Sequence, residues 1–455
     1  MKLNFYGGAK SVTGANYLLD FGDTKIIVDC GLFQGSRYAE EMNYENFPYN
    51  PAEVDFIFIT HSHADHIGRI PKLFKEGFRG KIYATRPTID LARASLEDNV
   101  DLLKDEAKEL GHDPIYSGKD LEEVLSLMEG VDYEQILNLS ENIQARLHDA
   151  GHILGSSIIE LEWKEDSEKK KIYFTGDLGN PINSLLQSPY LAKDADYVVI
   201  ESAYGDRLHG NVVTRKDVLE DIIEEIVSDG GTIIIPSFAV ERTQELLYEI
   251  HELLSNNRIP SIPVFLDSPL AIKLTDVYLK SRSFFNDNAI KDLEKWGGLF
   301  KFKNLRATIT TDESKEINNT HGPKIIIAGS GMSMGGRIVH HELRYLPDPK
   351  SAIVFIGYQV KGSLGRRILD GEKEVMILGQ KVHVNAKVYL IDGYSAHADQ
   401  AMLLEWVRSA SEAKKLKKVF VVQGEEEASE MLARRVIDTY AIDALAPNHK
   451  DVFEL

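Results

Sequence analysis

Cysteine is almost missing from this chain: Cys30 is the single one in 455 residues. That excludes an intramolecular disulfide and fits a reducing compartment. Long apolar runs are missing too, with no stretch near the roughly 18 residues a membrane helix requires. The N-terminus, Met1 to Gly8, carries no basic segment followed by a long apolar run, so neither a signal peptide nor a membrane span is expected and the cytoplasm is the simplest location. Basic residues are in deficit, 52 against 71 acidic, for a net charge of −19. A chain so charged repels polyanions at long range, which argues against promiscuous nucleic-acid binding and leaves only local patches acting within about 8 Å at physiological salt. Repeats and low-complexity segments are absent as well.

What is present is a folded composition, 43% hydrophobic, on a chain too long for one ordinary core, so two domains are expected. The run Val54 to Thr60 is mostly apolar and of buried-strand length. Directly after it come His61, Ser62, His63, Ala64, Asp65 and His66. Four side chains able to coordinate a cation in six residues point to a metal site. Imidazole and carboxylate are the ligands Zn²⁺ prefers, and a catalytic zinc keeps one position open for water. His61 and His63, two apart in extended chain, share one side; Asp65 and His66 follow at the turn into a helix expected over Ile67 to Phe74. Two pairs facing one cavity could hold two metals.

Further ligands lie at other strand ends. His152 sits between Gly151 and Gly155, where the backbone can bend to present it. Asp177 ends the apolar run Lys171 to Phe174, and its two oxygens could bridge two cations. Asp29 ends the run Lys25 to Val28 and is a candidate partner for a histidine N–H. Each of these alone reads as a turn residue; together, in order and spacing, Asp29, His61/His63/Asp65/His66, His152 and Asp177 resemble the metallo-β-lactamase superfamily. That resemblance implies an α/β fold, an αββα sandwich of two β-sheets between helices, and hydrolysis at a one- or two-zinc centre.

The second half resembles the β-CASP group of nucleic-acid-processing members. The strand Tyr197 to Ile200 runs into Glu201, Ser202, Ala203, Tyr204, Gly205, Asp206, similar to that group's first motif, and Gly393 to Asp399 is similar to its second, with His397 as the family histidine. In the family these two side chains pair beside the zincs. Between them, Pro236 to Gln244, Asp267 to Ala271, Ser330 to Arg337 with His340 and His341, and Gly357 to Arg366 resemble the inserted α/β cap. The resemblance assigns Ser330, Arg337, His340 and His341 to phosphate contact, at a helix whose first turn could receive an anion. Read without it, the two histidines are one buried and one exposed helix residue. Arg242, Arg337, His340, Arg366 and Arg367 are the candidates for a local basic patch.

One position departs from the family pattern. Where a histidine precedes Gly-Glu and ligates the second zinc, this chain has Gln423, whose amide oxygen is a weaker zinc ligand. The expectation is one firm zinc, and a second site on Asp65, His66 and Asp177 that is either labile or takes a harder ion such as Mn²⁺.

Residues 1–205 are therefore read as the first part of a metallo-β-lactamase domain, 206–370 as the β-CASP domain and 371–455 as the returning part. Strands are expected at Lys387 to Ile391 and Lys418 to Val422 in that returning part, and the acidic stretch Leu96 to Glu129 as a solvated helical face. The implied activity is a zinc-dependent ribonuclease of the short bacterial and archaeal β-CASP type, related to the eukaryotic pre-mRNA 3′-end endonuclease. It would leave 5′-phosphate and 3′-hydroxyl ends, cleaving internally with 5′-to-3′ exonuclease action as a further mode. RNA is the implied partner, and a homodimer stays open. Asp65, Glu201 and His397 are the expected catalytic residues. The alternatives are a metallo-hydrolase of a non-nucleic-acid ester or lactam, and a scaffold whose site has weakened at Gln423.

Overall fold

The computed structural model describes every residue except 166–167, 182–183, 211–213 and 361. Two compact units account for it: Met1–Pro181, Gln187–Leu208 and His397–Leu455 form the first, and Ile182–Leu186 with His209–Ala396 the second.

Two seven-stranded sheets build the first unit. Strict alternation along their strands decides the layers. In Lys25–Val28, Ile26 and Val28 join the cluster shared by both sheets, whereas Ile27 points the other way, toward helices. The second sheet does the same: Ile172 and Phe174 face inward and Tyr173 outward, Phe420 and Val422 inward and Val419 and Val421 outward. Ile67, Ile70, Leu73, Ala92, Leu96 and Val124 cover the outer face of the first sheet. Leu403, Trp406, Val407, Leu432 and Val436 cover that of the second. Both outer faces being apolar, each sheet needs a helical layer, and the αββα sandwich follows.

The second unit is a six-stranded parallel sheet in the order Leu305–Ala307, Val264–Asp267, Lys324–Ala328, Thr232–Pro236, Ala352–Phe355, Lys387–Leu390. Its central strands are buried on both faces and read as unbroken Ile-rich runs, as parallel strands do. The chain leaves Thr232–Pro236 toward one edge of this sheet and returns from Lys324–Ala328 toward the other.

Two expectations are corrected, and a third is extended. Lys387–Leu390 pairs in parallel with Ala352–Phe355, so this unit runs to Ala396 and not to about 370. Its pattern is that of any apolar strand, and only the partner strand decides which sheet it joins. The helix expected over Ile67 to Phe74 is two helices, Ala64–Ile67 and Ile70–Lys75. Pro71, with no N–H, sits in the first turn of the second, where its missing donor does no harm. The acidic stretch, in Arg86–Leu110 and Gly118–Ser126, does present a solvated face, but Leu91, Ala92, Leu96, Leu103, Leu121 and Val124 bury the opposite one. No helix among the described residues is long and apolar enough to cross a membrane.

Candidate metal centre

Strand ends of the first unit deliver the site. Lys25–Val28, Glu168–Phe174 and Lys418–Val422 are each followed within two residues by a left-handed residue: Asp29 at φ 60°, Gly176 at 53°, Gln423 at 49°. Left-handed backbone at a non-glycine residue is uncommon and costs energy, so Asp29 and Gln423 mark places where surrounding contacts force the turn. At Gly176 the reason is visible, since a Cβ there would lie 2.6 Å from the Thr60 side chain.

His61, Asp177 and His152 are buried and His63 partly so, and one donor atom from each falls within 4.8 Å of all the others. His61 Nε2 lies 3.0 Å from His63 Nδ1 and 3.4 Å from Asp177 Oδ2. His152 Nε2 lies 3.3 Å from His63 Nδ1 and 3.6 Å from the same Asp177 oxygen. The other oxygen of Asp177 is 3.4 Å from His66 Nε2, which is 3.7 Å from Asp65 Oδ2. Asp177 thus stands between two donor groups, one of three histidines and one of His66 and Asp65.

Electrostatics suit a cation. Burial and the neighbouring His66 lower His61, while burial and other histidines push His63 and His152 well below the ordinary imidazole range, which keeps lone pairs available. Burial opposes ionisation of Asp177, yet His66 and His61 outweigh it and hold the carboxyl well below its usual range. His66 is the counter-case: burial works against its charge, but Asp177, Asp29 and Asp65 together raise it well above normal. Burial also raises Asp65.

Thr60 and Asp29 fix the ring orientations. Asp29 Oδ2 lies 2.7 Å from His66 Nδ1 and accepts from Thr60 Oγ1 at 2.7 Å, while the Thr60 N–H donates to Oδ1 at 2.8 Å. Thr60 Oγ1 is also 3.0 Å from His61 Nδ1. Thr60 went unnoticed in the sequence, although it is the residue immediately before His61 and hydroxyls commonly orient ligands.

Gln423 closes the group from the second sheet. Its N–H donates to Gly8 O at 2.7 Å and its amide nitrogen is 2.8 Å from His66 Nε2. The amide oxygen is buried without a partner. A Cβ at Gly8 would lie 2.3 Å from that oxygen, so only glycine leaves room for it. The two amide ends are nearly isosteric, and turning the group over would put its oxygen against His66. An orphaned buried acceptor that comes against His66 when the amide is turned over fits a cation on the His66 side, held less firmly than the three-histidine set would hold one.

Beside this cluster, Glu201 and His397 are paired, with His397 Nδ1 at 3.2 and 3.3 Å from the two carboxylate oxygens. Glu201 is fully buried and accepts the Leu178 N–H at 2.6 Å. Burial raises its pKa even against the favourable His397. His397 Nδ1 also comes within 3.9 Å of Asp177 Oδ2, and Asp177, Glu201 and His397 form a second donor group.

The four phosphate-contact residues divide. Arg337 and His341 are engaged with the fully buried Asp267: Arg337 Nη1 lies 2.7 Å from Oδ1 and His341 Nε2 2.7 Å from Oδ2. Thr308 and Ser314 complete the Asp267 shell at 2.7 and 2.6 Å, and Arg337 also donates to the carbonyls of Thr308 and Ile309. These contacts serve the fold, because a buried carboxylate demands such partners. His340 is exposed, and Ser330 is half-buried with its hydroxyl accepting the Met334 N–H at 3.0 Å. The expected basic patch is likewise neutralised: Arg242 faces Glu241, Arg366 pairs with Asp370, and Arg367 pairs with Glu372. Each acidic partner lies within five residues of its arginine in the chain.

A four-layer sandwich whose strand ends gather histidines and a bridging carboxylate defines a metallo-hydrolase of the metallo-β-lactamase class. Residues 18–190 match the metallo-beta-lactamase superfamily domain, 243–368 the Beta-Casp domain, and 381–447 the Zn-dependent metallo-hydrolase RNA specificity domain. The chain is 37% identical to Ribonuclease TTHA0252 of Thermus thermophilus, covering 94% of each. It is 30% identical to an RNase J-like protein of Methanocaldococcus jannaschii, over 98% of this chain and 97% of that one. Transcription termination factor FttA of Methanosarcina mazei is 29% identical across the whole chain, which spans 72% of that factor. Among solved structures, a protein of unknown function from Enterococcus faecalis V583 shares the fold, with a TM-score of 0.57, 12% identity, and coverage of 100% of this chain and 99% of that one. The chain belongs to the β-CASP ribonuclease family.

Proposed function

We propose that the protein is a metal-dependent ribonuclease that hydrolyses RNA phosphodiester bonds, leaving 5′-phosphate and 3′-hydroxyl ends. The observation that carries the reading is the adjacency of two groups through one residue. Asp177 belongs both to the four-donor cluster and to the triad with Glu201 and His397. Family membership supports RNA as the substrate, since the relatives are named as ribonucleases or as a transcription termination factor.

His61, His63, His152 and Asp177 would hold a first divalent cation, read as zinc from the donor set. Asp65, His66 and Asp177, with the Gln423 amide, would hold a second, more labile one. Such ions supply Lewis-acid charge for the phosphoryl oxygens and bring the pKa of a bound water down to about 7. Among the chain's own groups, Asp65, 3.7 Å from His66 Nε2, orients the attacking water and accepts its proton. Glu201, locked by the Leu178 N–H, fixes the His397 ring through Nδ1. The other ring nitrogen holds the proton that passes to the departing 3′ oxygen. Cys30 is buried, its thiol pushed up to about 12 by burial, so it packs and does not attack. A lone reduced cysteine also supports a cytoplasmic location.

RNAs labelled at the 5′ or the 3′ end, incubated with and without chelator, test the reading. Metal-dependent products with 5′-phosphate ends are expected, and their lengths distinguish internal cleavage from trimming. Cleavage unaffected by chelation would overturn it.

A further inference from the structure

Two strands of the second sheet end side by side, and the segment that leaves one of them touches both halves of the site. Glu168–Phe174 runs parallel to Tyr197–Glu201, with Phe174 opposite Val199. Thr175 prolongs the pairing, its N–H donating to Val199 O at 2.9 Å and its hydroxyl accepting the Glu201 N–H at 3.2 Å. Gly176, Asp177, Leu178 and Gly179 follow, and both ends of this run are packed too closely for a Cβ. Leu178 is the anchor. Its side chain is 1% exposed in the apolar layer of Ile200, Val421 and Trp406, so its main-chain groups are held where they point. Its N–H donates to Glu201 Oε1 at 2.6 Å, and its carbonyl accepts the Ala398 N–H at 2.8 Å.

Gly179 completes the connection in both directions. On one side it forms an antiparallel bridge with His397. On the other its N–H donates to Ala150 O at 2.8 Å, and a Cβ on it would lie 1.9 Å from Gly151 O and 2.7 Å from His152 N. The position demands an approach of main chains that only glycine permits. The loop it touches is the one that presents His152: the Ala150 N–H donates to Ser156 O at 3.1 Å and the His152 N–H to Ser156 Oγ at 3.0 Å. The rings of His152 and His397 end 4.6 Å apart between centroids. One residue without a side chain separates their main chains.

We propose that Gly179 is a positioning residue for both histidines: its contacts with the His152 loop on one side and with His397 on the other set the spacing of metal ligand and proton donor together. This rests on the readings of His152 and His397 given above. An added methyl group has to force the two supports apart, and a shift of about an ångström spoils the geometry of reaction while substrate still binds.

The test compares Gly179→Ala with the parent, each also in the His397→Ala background. Zinc affinity is measured by competition with a chromogenic chelator, and kcat and KM on a labelled RNA. Zinc affinity is expected to fall about 10- to 100-fold. At saturating zinc kcat is expected to fall about 100-fold with KM held within about twofold, and the fall in the His397→Ala background to be about tenfold smaller. Unchanged zinc affinity, or an equal loss of kcat in both backgrounds, overturns the inference and leaves the assignment of His397 standing. His397→Ala cleaving at the parental rate overturns that assignment, and the inference with it. Should Gly179→Ala fail to fold, amide exchange in the unaltered protein decides. On zinc loading the amides of Leu178, Gly179 and Ala398 are expected to slow together, by about tenfold. Slowing confined to 177–179, with Ala398 unmoved, overturns the inference.

Discussion

His66 Nδ1 lies 2.7 Å from Asp29 Oδ2, and Asp29 holds that place in left-handed backbone with both of its oxygens engaged by Thr60. The contact commits Nδ1 to a proton and turns Nε2 toward Asp177 and Asp65. Its loss would leave the ring free to rotate. Asp29→Asn, which keeps the shape and discards the charge, is expected to weaken metal binding on the His66 side about 10- to 100-fold, as changes behind a ligand do. Competition titration with a chromogenic chelator checks this, and binding unchanged within twofold would contradict it.

Gln423 gives a complementary prediction in the stabilising direction. Gln423→His replaces a weakly coordinating amide by an imidazole at a place already 2.8 Å from His66 Nε2. Metal content after exhaustive dialysis is expected to rise from about one to about two ions per chain, the softer ligand retaining zinc. Two tightly held zincs in the unaltered protein would refute the weak-site reading.

For the proton-donating pair, His397→Ala and Glu201→Gln are each expected to lower kcat by about 10²- to 10⁴-fold, the usual worth of a placed acid. The double variant should be little worse than the worse single one, because Glu201 works through His397. Single-turnover cleavage rates decide it; strict multiplicativity would separate the two roles.

Acid stability has its own marker away from the site. Glu160 is 6% exposed; burial pushes its carboxyl up, but hydrogen bonding from His148, the charge of Lys171 and a bond from Tyr173 bring it down to about 2. A carboxyl whose folded pKa lies below its unfolded value near 4.3 contributes stability that is present above that value and lost as pH falls toward about 2. Denaturant unfolding between pH 6 and pH 3 should therefore show a decline that Glu160→Gln reduces, with the variant less stable at pH 6 by on the order of 3 kcal/mol. A pH dependence identical to the parent's would remove Glu160 from the account.

Much of the site was legible because its donors follow apolar strands. His61, His63, His66, His152 and Asp177 each stand at or just beyond a strand end, and sheet geometry then brings such ends together, as the distances around Asp177 show. The pairing of Glu201 with His397 likewise follows from family motifs that happen to be intact. Harder to read were side chains whose role depends on a partner far along the chain. Arg337 and His341 look free in sequence, yet Asp267, some 70 positions away, takes both. Lys387–Leu390 reads in sequence as an apolar strand, and only the register with Ala352–Phe355 assigns it to the edge of the parallel sheet. Thr60 and Gly8 were invisible for another reason: what matters at one is a hydroxyl's reach and at the other the absence of a Cβ, and neither leaves a periodic signal.

The way the first unit closes its sheets also dictates an order of assembly. Tyr197–Glu201 pairs with Lys418–Val422, and Lys2–Phe5 with Val452–Glu454, so both sheets wait for the last strands made. Ser202 and the carbonyl it meets at Val422 are 220 positions apart, with the second unit's main segment between them in the chain. During synthesis the inserted sheet has all its strands before its host does, and the host's long-range pairing comes late and slowly. Gln423 arrives with that final stretch, so a nascent chain can gather every histidine up to His152 and remain without its closing strand. Truncation near residue 415 would strip Val452–Glu454 from the first sheet and both Lys418–Val422 and Asp443–Leu445 from the second, leaving exposed edges of the kind that recruit other chains.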